Sequence, residues 1–406
     1  MASDEFRTRE ERLDALRSSV ITLDTSDGAA EEGEKRSWIG IFGTVIAFIA
    51  LAAALVCAGL YFYHNYEYTT YTLDYDEPAG GMSSGQVYAF SAGCLVIGAD
   101  SVTYFVRGTQ MWSTPLSLSS PVIAIEGDFF SMYDSGGYQV YIFGTSGLIS
   151  TVRVSRRIYG MDISASGVTA VFTESSESAY ISYFDRFGSK IAVEVKTVLS
   201  SNGYPVDLSV SPNGQRLAVI SYSTANGIGE SRLVLYDFGK GRESNGYVIG
   251  RFTDYYDTDT FLLSCDFKDD DHLVAVGDNM LSFFTIPSRG DPERTMLPLR
   301  ENLRSVLSMD GRPVLITEEE GKFICTLYEM TGEVYNSFEL PGKYTVITAK
   351  NGRVMVADRN EIWLYNASGR LRYHGILVDA PAGVAFSGKD SLLFSTGTRI
   401  EHITFR

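Results

Sequence analysis

A short antiparallel meander recurs along this chain, and it limits the fold more strongly than any other feature of the sequence. The clearest copy is Pro205–Asp237, in which three runs of alternating apolar residues cover Val206–Val210, Arg216–Tyr222 and Arg232–Tyr236. β-Branched and aromatic residues at a period of two are typical of strands. Asn213-Gly214 joins the first two runs and accepts the positive φ that a tight hairpin needs. A meander of this size cannot bury its own faces, so its copies must pack against one another.

Hairpin turns mark this copy and seven others at an average spacing of about 40 residues. The turns lie at Ala92-Gly93, Gly127-Asp128, Ser166-Gly167, Asn213-Gly214, Asp270-Asp271, Asp310-Gly311, Asn351-Gly352 and Gly388-Lys389. Four short strands per unit at this period are typical of a β-propeller. We therefore predict an all-β fold, a β-propeller over residues 87–406, with eight blades and seven as the alternative.

An apolar segment precedes the repeats. Ile39–Tyr63 contains no charged residue. As a helix it is longer than the roughly 30 Å hydrocarbon core of a bilayer, and Trp38 and Tyr61 lie near its ends, where aromatic rings prefer the interface. The segment predicts a single transmembrane helix. A cleaved signal is the alternative, although residues 1–38 would make a long leader.

The distribution of basic residues predicts the orientation of this helix. Basic residues precede it at Arg7, Arg9, Arg12, Arg17, Lys35 and Arg36, and none follows before Arg107. The positive-inside rule then places the N-terminus in the cytosol and the residues after Tyr63 outside the cell membrane. Residues 1–38 are expected to form a partly disordered cytosolic tail. Within it, Phe6–Leu23 is a candidate amphipathic helix for a cytosolic partner.

The end of the repeat region lacks one strand. The last unit, Ala382–Arg406, has room for three, which would leave an exposed sheet edge of the kind that proteins avoid. Residues 64–86 form a stalk that contains a spare strand, Thr69–Tyr75, in which Tyr71, Leu73 and Tyr75 alternate on one face. We predict that this strand pairs with Ile400–Phe405 and completes the last blade.

Two features of the sequence resemble known propeller families. Val210–Val219 (VSPNGQRLAV) resembles the SPDGxxLAV hairpin of WD40-like and TolB-type propellers, although the Trp-Asp dipeptide of the WD40 family itself is absent. The layout of tail, single helix and C-terminal repeats resembles a clostridial (Firmicutes) family of membrane-anchored propellers of unknown function. The resemblance implies a membrane-anchored propeller and transfers no functional residue, because propellers serve many unrelated activities.

Composition and motifs exclude several classes of function. The formal net charge of −16 argues against a nucleic-acid partner, since phosphate neutralisation needs clustered Lys and Arg. Hydrolase, P-loop and dinucleotide motifs are absent from the sequence, and its histidines lie far apart. The four cysteines form no CxxC pair, so free thiols are predicted, with a disulfide as the alternative. They are Cys57, Cys94, Cys265 and Cys325. No catalytic residue, metal site or cofactor is predicted.

One segment stands out as a candidate ligand or partner loop. Gly239–Thr260 is the longest departure from the repeat and contains Phe252, Asp254, Tyr255, Tyr256, Asp257 and Asp259. Long loops in compact domains are often functional, and exposed tyrosines beside carboxylates can stack on a sugar or meet a cationic group. The alternative is an acidic surface loop whose tyrosines cover strand edges. The spacing of its acids lacks the regularity of a calcium loop.

These features favour a noncatalytic binding or scaffolding module at the bacterial cell envelope, with a protein or an envelope glycan as partner. One alternative is an envelope hydrolase or lyase that acts on a glycan with carboxylates of the propeller channel. Another is a transmembrane sensor that couples ligand capture outside to Phe6–Leu23 inside. Convergence of two or more carboxylates in the channel would favour the enzyme.

Overall fold

The computed structural model describes residues 43, 45–62, 66–78, 86–224, 227, 229–239, 247–255, 259–299, 302–397 and 399–406. The chain divides into two compact units, Met1–Tyr66 and Glu67–Arg406. In the first unit, helix α1 (Val45–Phe62) is long and apolar enough to cross a membrane, a property that a signal sequence shares. The residues of this helix are exposed along its whole length. The tail segment Phe6–Leu23 lies outside the described residues.

The second unit consists of eight four-stranded antiparallel sheets, and each sheet is one propeller blade. Strand β1 (Tyr71–Pro78) precedes the first blade. The strands of blades 1 to 4 are β2 (Gln86–Phe90), β3 (Gly93–Ile97), β4 (Ser101–Val106), β5 (Thr109–Pro115); β6 (Pro121–Glu126), β7 (Phe129–Asp134), β8 (Gln139–Gly144), β9 (Gly147–Arg153); β10 (Ile158–Ile163), β11 (Thr169–Glu174), β12 (Ser178–Phe184), β13 (Lys190–Val198); and β14 (Tyr204–Val210), β15 (Arg216–Ser223), β16 (Glu230–Asp237), β17 (Val248–Phe252).

Blades 5 to 8 complete the ring. Their strands are β18 (Leu262–Phe267), β19 (His272–Gly277), β20 (Met280–Thr285), β21 (Glu293–Pro298); β22 (Asn302–Met309), β23 (Arg312–Glu319), β24 (Lys322–Tyr328), β25 (Val334–Glu339); β26 (Val346–Lys350), β27 (Arg353–Asp358), β28 (Glu361–Asn366), β29 (Leu371–Ile376); and β30 (Gly383–Phe386), β31 (Ser391–Ser395), β32 (Arg399–Phe405). A helical turn, α2 (Leu199–Asn202), connects blades 3 and 4. The all-β prediction and the count of eight blades are confirmed.

Each hairpin turn that the sequence indicated lies between the first two strands of a blade. Local chemistry explains why. Gly214 has φ 76°, and the non-glycine residues Asp310 and Asn351 have φ 53° and 54°. Asp and Asn tolerate this left-handed region better than other non-glycine residues, so these short polar sequences close tight turns with little strain.

The first strands of neighbouring blades lie side by side around the ring axis. Such contacts join β10 to β6 and β14, β14 to β18, and β26 to β22 and β30. Strand β30 also contacts β2, which brings the last blade against the first and closes the ring. The first strands therefore surround the central channel.

The core of the propeller lies between blades. One buried cluster combines Ala218 and Leu233 of blade 4 with Leu273 and Phe284 of blade 5, and another spans blades 7 and 8. Each blade thus buries both of its faces against its neighbours, as the repeat pattern requires. The three cysteines of the propeller are buried free thiols, which confirms the prediction. Burial raises the pKa of Cys94 and of Cys325 to about 12, so both stay protonated.

Strand β1 completes the last blade. It pairs antiparallel with β32, with a register that runs from Tyr71 opposite Phe405 to Pro78 opposite Arg399. The predicted ring closure by the segment that follows the helix is therefore confirmed, with a strand that extends three residues further than expected, from Tyr75 to Pro78. Ion pairing of Arg399 with Asp76 adds a side-chain tie between the two strands.

The predicted side-chain alternation of β1 is wrong, because a β-bulge shifts the register between Leu73 and Tyr75. Tyr71 packs against Tyr373 of blade 7, with ring centroids 6.2 Å apart. After the bulge, Tyr75 packs against Phe105 of blade 1 at 5.6 Å. Leu73 is 49% exposed. The closing strand therefore contacts the blades on both sides of the seam.

Candidate functional site

Part of the candidate loop is a strand. Val248–Phe252 forms β17, the outermost strand of blade 4, so Phe252 does not belong to a connection as predicted. Its ring packs edge-on against Phe284 of blade 5, with centroids 4.8 Å apart. The alternating apolar residues of this short strand follow residues 240–246, which lie outside the described part of the chain. The connection to blade 5 begins only after Phe252.

The expected exposure of Tyr255 is also wrong. Tyr255 has no accessible surface and belongs to the core between blades 4 and 5. The guanidinium carbon of Arg294 lies 5.3 Å from its ring centroid, and Asp254 Oδ1 accepts a hydrogen bond of 2.8 Å from the same guanidinium. This ion pair holds the segment against blade 5, where the tyrosine ring buries a large apolar area.

Of the remaining acids of the segment, only Asp259 belongs to the described residues. Asp259 is exposed and has a positive φ of 49°, typical of a turn. Tyr256 and Asp257 lie outside the described residues. Ligand binding by this segment stays a prediction for these three residues, and Phe252, Asp254 and Tyr255 are explained by packing of blades 4 and 5.

Four carboxyl groups converge around the central channel. They are contributed by the first strands of four consecutive blades, at Glu126, Asp162, Asp207 and Asp266. Asp162 Oδ2 accepts a hydrogen bond of 2.7 Å from the Val210 amide, and Asp207 Oδ2 accepts one of 2.8 Å from the Cys265 amide. Each of these aspartates thus pairs with a backbone donor on the first strand of the next blade, so both are explained by packing between blades.

The surrounding protein changes the acidity of these groups. Asp162 and Asp207 retain some accessible surface, but protein atoms enclose them in the ring and replace bulk water. This desolvation raises the pKa of Asp162 to about 7 and that of Asp207 to about 6, while the bound amides oppose the rise. Desolvation also raises the pKa of Glu126, and the charge of Asp266 adds to that effect.

A second polar arrangement crosses the closing blade. Ser387 Oγ lies 2.7 Å from His402 Nε2, and His402 Nδ1 lies 3.2 Å from Asp74 Oδ2. The order of groups is that of a Ser-His-Asp triad. Ser387 and His402 are 7% and 2% exposed, however, and Ser387 Oγ also hydrogen-bonds Ser391 Oγ at 3.0 Å. A substrate carbonyl has no access to this hydroxyl, so we interpret the arrangement as an internal tie between β1 and the rest of blade 8.

A concave surface lies on blades 3 and 4, on both sides of the connection that contains α2. One cavity of about 470 Å³ is lined by polar residues that include Glu177, Tyr204 and Thr224. A second cavity of about 210 Å³ lies between the two blades. Gly203 lines both cavities; its φ is 81°, and an added Cβ would lie 2.5 Å from the Tyr222 carbonyl oxygen, so a larger residue does not fit. We call these two cavities the blade 3–4 cleft.

Sequence reasoning missed the residues of the blade 3–4 cleft and of the His402 tie. Residues of the cleft come from several strands of two blades, so no local motif unites them. The predicted pairing of Thr69–Tyr75 with Ile400–Phe405 brings the two segments together but gives no register. The β-bulge between Leu73 and Tyr75, which the sequence does not show, sets the position of Asp74 relative to His402. Within the described ranges, no group of three or more His, Cys, Asp or Glu side chains is positioned to hold a metal ion.

The fold defines this protein as an eight-bladed β-propeller that follows an apolar helix. The chain belongs to the family of unknown function DUF5711, whose model matches residues 63–405. Among curated proteins, no sequence matches it.

Solved structures with a similar fold share little sequence with this chain. The crystal structure of AztD from Citrobacter koseri has a TM-score of 0.52 at 12% identity and covers 74% of this chain and 88% of its own. The structure of apo AztD from the same organism gives 0.51 at 11% identity with the same coverage. BamB from Moraxella catarrhalis covers 83% of this chain and 100% of its own at 13% identity, with a TM-score of 0.48. At these identities the likeness concerns the fold alone.

Proposed function

We propose that this protein is a noncatalytic binding module, held at the outer face of the bacterial cell membrane by α1, and that the blade 3–4 cleft is its binding surface. The partner is a protein or a glycan of the cell envelope. An anchored module meets envelope partners at a raised effective concentration, which favours binding even at modest affinity. The clostridial source that the resemblance implies is part of this proposal.

The observation that carries the proposal is the contrast between the cleft and the other polar groups. Asp162 and Asp207 bind the backbone of neighbouring blades, and His402 is itself buried and lies against the buried Ser387 hydroxyl. Tyr204, by contrast, lines the larger cavity of the cleft and is 58% exposed. Concave surfaces with exposed aromatic and polar side chains are common ligand sites.

Site-specific crosslinking tests the cleft. A photo-crosslinking residue at position 204, in the full chain in its membrane, is expected to capture a discrete partner. The matched control is position 378, because Val378 is 82% exposed and lies in the connection between blades 7 and 8. Equal capture from both positions, or capture from position 378 alone, would contradict the assignment of the cleft.

Protease treatment of intact cells tests the orientation. The basic residues before α1 motivate the outside assignment of the propeller. We expect loss of the C-terminal region and survival of a small membrane-held fragment. A C-terminal region that is protected until the cells are lysed would overturn the outside assignment.

A glycan-acting hydrolase or lyase is the second candidate, and Glu126 is the observation that favours it. Desolvation raises the pKa of this channel carboxyl, as a general acid requires, and Asp266 and Lys268 lie within electrostatic range. The test measures the release of reducing ends from purified envelope glycans. Release by the full chain that is lost in the Glu126→Gln variant would establish the enzyme. Release by neither protein would leave the binding module as the better proposal, and equal release by both would mean that Glu126 is not the general acid.

A further inference from the structure

The smaller cavity of the blade 3–4 cleft differs from the rest of the protein in its charge. The chain has 50 acidic and 34 basic residues. The cavity, in contrast, is lined by Lys196, Arg232 and Arg251 and by no carboxylate. The three cations surround a cavity of about 210 Å³ and repel one another. None of the acidic residues that the structure describes lies in the lining to balance their charge.

The sheet register explains why the cations converge. Ser221 lies opposite Arg232 in the β15–β16 pair, and Val234 lies opposite Arg251 in the β16–β17 pair. Residues two apart on a strand share a face, so both arginines lie on the face of blade 4 that lines the cavity. Lys196 comes from β13, the outermost strand of blade 3, and faces them across the space between the blades.

Several polar groups of this cavity have no partner within the described part of the chain. Arg232 donates to the Ser201 carbonyl at 2.9 Å and to Glu230 at 2.7 Å, but its buried Nε has no acceptor. The buried Oγ1 of Thr197 also has none. Among the described residues, Arg251 forms no ion pair, and the Lys196 ammonium lies 5.6 Å from the Tyr180 ring centroid without a carboxylate. Buried donors without acceptors are rare in proteins and point to a missing acceptor.

The cavity also has an apolar wall, formed by Pro205, Val219 and Val234. Guanidinium groups match the planar, two-oxygen geometry of carboxylates and phosphates. We propose that this cavity binds an oxyanion, the carboxylate or phosphate of a compact molecule whose less polar face lies on the valines. This inference rests on the proposed binding function and names the chemical class of its ligand.

Ligand-observed NMR with the full chain in a neutral detergent tests the proposal. The probes are glucuronate, followed by saturation transfer, and inorganic phosphate, followed by ³¹P line broadening. Glucose is the neutral control for glucuronate. We expect at least one anion to bind and glucose not to bind. Binding of glucuronate alone would identify a carboxylate ligand, and binding of phosphate alone a phosphate ligand.

Variants localise the binding. Lys196→Gln and Arg251→Gln remove exposed cations of the cavity and are expected to raise the Kd of the bound anion about tenfold each. Lys343→Gln and Arg289→Gln remove exposed cations elsewhere and are expected to leave the Kd unchanged. Absence of binding by both anions, equal binding of glucose, or equal effects of the two pairs of variants would each overturn the oxyanion site.

The crosslink at position 204 separates the two proposals, because a captured partner with no anion binding would refute only this inference.

Discussion

At the scale of single residues, Tyr255 shows how environment decides the role of a side chain. Its aromatic ring packs in the core, and Arg294 covers it from the outer strand of blade 5. The neighbouring carboxylate of Asp254 neutralises the arginine, so the guanidinium can lie over the ring. A residue that the sequence presents as part of an acidic loop is therefore a contact between two blades.

Replacement of Tyr255 by alanine is expected to lower the free energy of unfolding by about 3 kcal/mol or more, as for other large buried side chains. Tyr159, which is 54% exposed, is the matched control, and Tyr159→Ala is expected to change stability by less than about 1 kcal/mol. Urea unfolding of the full chain in detergent measures both values. Equal small losses would mean that Tyr255 is not part of the core.

Asp162 is expected to make stability depend on pH. Its pKa of about 7 in the folded chain exceeds the ordinary value of 3.8, so between these values the folded state holds a proton that the unfolded state has released. Stability therefore falls as pH rises through this window, by up to about 1.4 kcal/mol per pH unit, and the loss is complete above pH 7.

The Asp162→Asn variant isolates this effect, because asparagine keeps an acceptor for the Val210 amide and cannot ionise. Unfolding by urea at pH 5, 6, 7 and 8 is expected to show the variant gaining stability over the natural chain as pH rises. Asp291→Asn, at an exposed position, is the control and should follow the natural chain. A constant difference across the series would show that Asp162 does not titrate in this window.

At the scale of elements, the hairpin turns that define the repeat also join the blades. The backbone N–H of Asn213 donates a hydrogen bond of 2.8 Å to Asp270 Oδ1 of the next blade. Asp310 accepts from the amides of Asn351 and Gly352, at 2.9 and 2.7 Å. Because the same polar residues close a turn and bind the neighbouring turn, a change in one of them affects two blades.

Arg216 adds a largely buried charge to these contacts between neighbouring turns. Its side chain is 9% exposed and pairs with Asp237 of its own blade at 3.3 Å and with Asp271 of the next at 2.7 Å. We expect Asp237→Ala to cost about 3 kcal/mol, because it leaves a largely buried charge without one of its partners. Glu339→Ala breaks the exposed pair with Lys322 and is expected to cost at most about 1 kcal/mol. Similar losses in the two variants, measured by urea unfolding, would argue against this role for Asp237.

The sequence predicts the features of this fold that depend on neighbouring residues and misses those that depend on distant ones. Turn positions and alternating strands depend on neighbouring residues, and every first hairpin was found where the structure has it. Strand β17 was missed because its five residues stand next to an acidic, tyrosine-rich segment. The bulge at Leu73–Tyr75 depends on the packing of β32, and the cations of the cleft depend on the register of three strands. Neither of these last two features has a local signature.

At the scale of the whole molecule, the two ends of the propeller meet in one blade. Strand β1 supplies the fourth strand of blade 8, and its tyrosines reach blade 7 on one side and blade 1 on the other. Asp74 adds the tie through His402 to Ser387. The ring is thereby closed by hydrogen bonds and by packing across both flanking interfaces, so the closing strand is expected to stabilise the whole propeller.

Loss of this strand is the last prediction. Deletion of residues 66–76 exposes the edge of β32 and removes both tyrosines from the seam, so the propeller is expected to melt at a clearly lower temperature as one unit. Tyr75→Asp, which places a charge against Phe105, is expected to cost about 2–4 kcal/mol. Leu73→Asp adds the same charge to the same strand at a side chain that is 49% exposed, and it should cost less than about 1 kcal/mol. Calorimetry of the full chain and the three variants measures these shifts. An unchanged melting temperature after the deletion would mean that β1 is only a tether and that the contact of β30 with β2 suffices to close the ring.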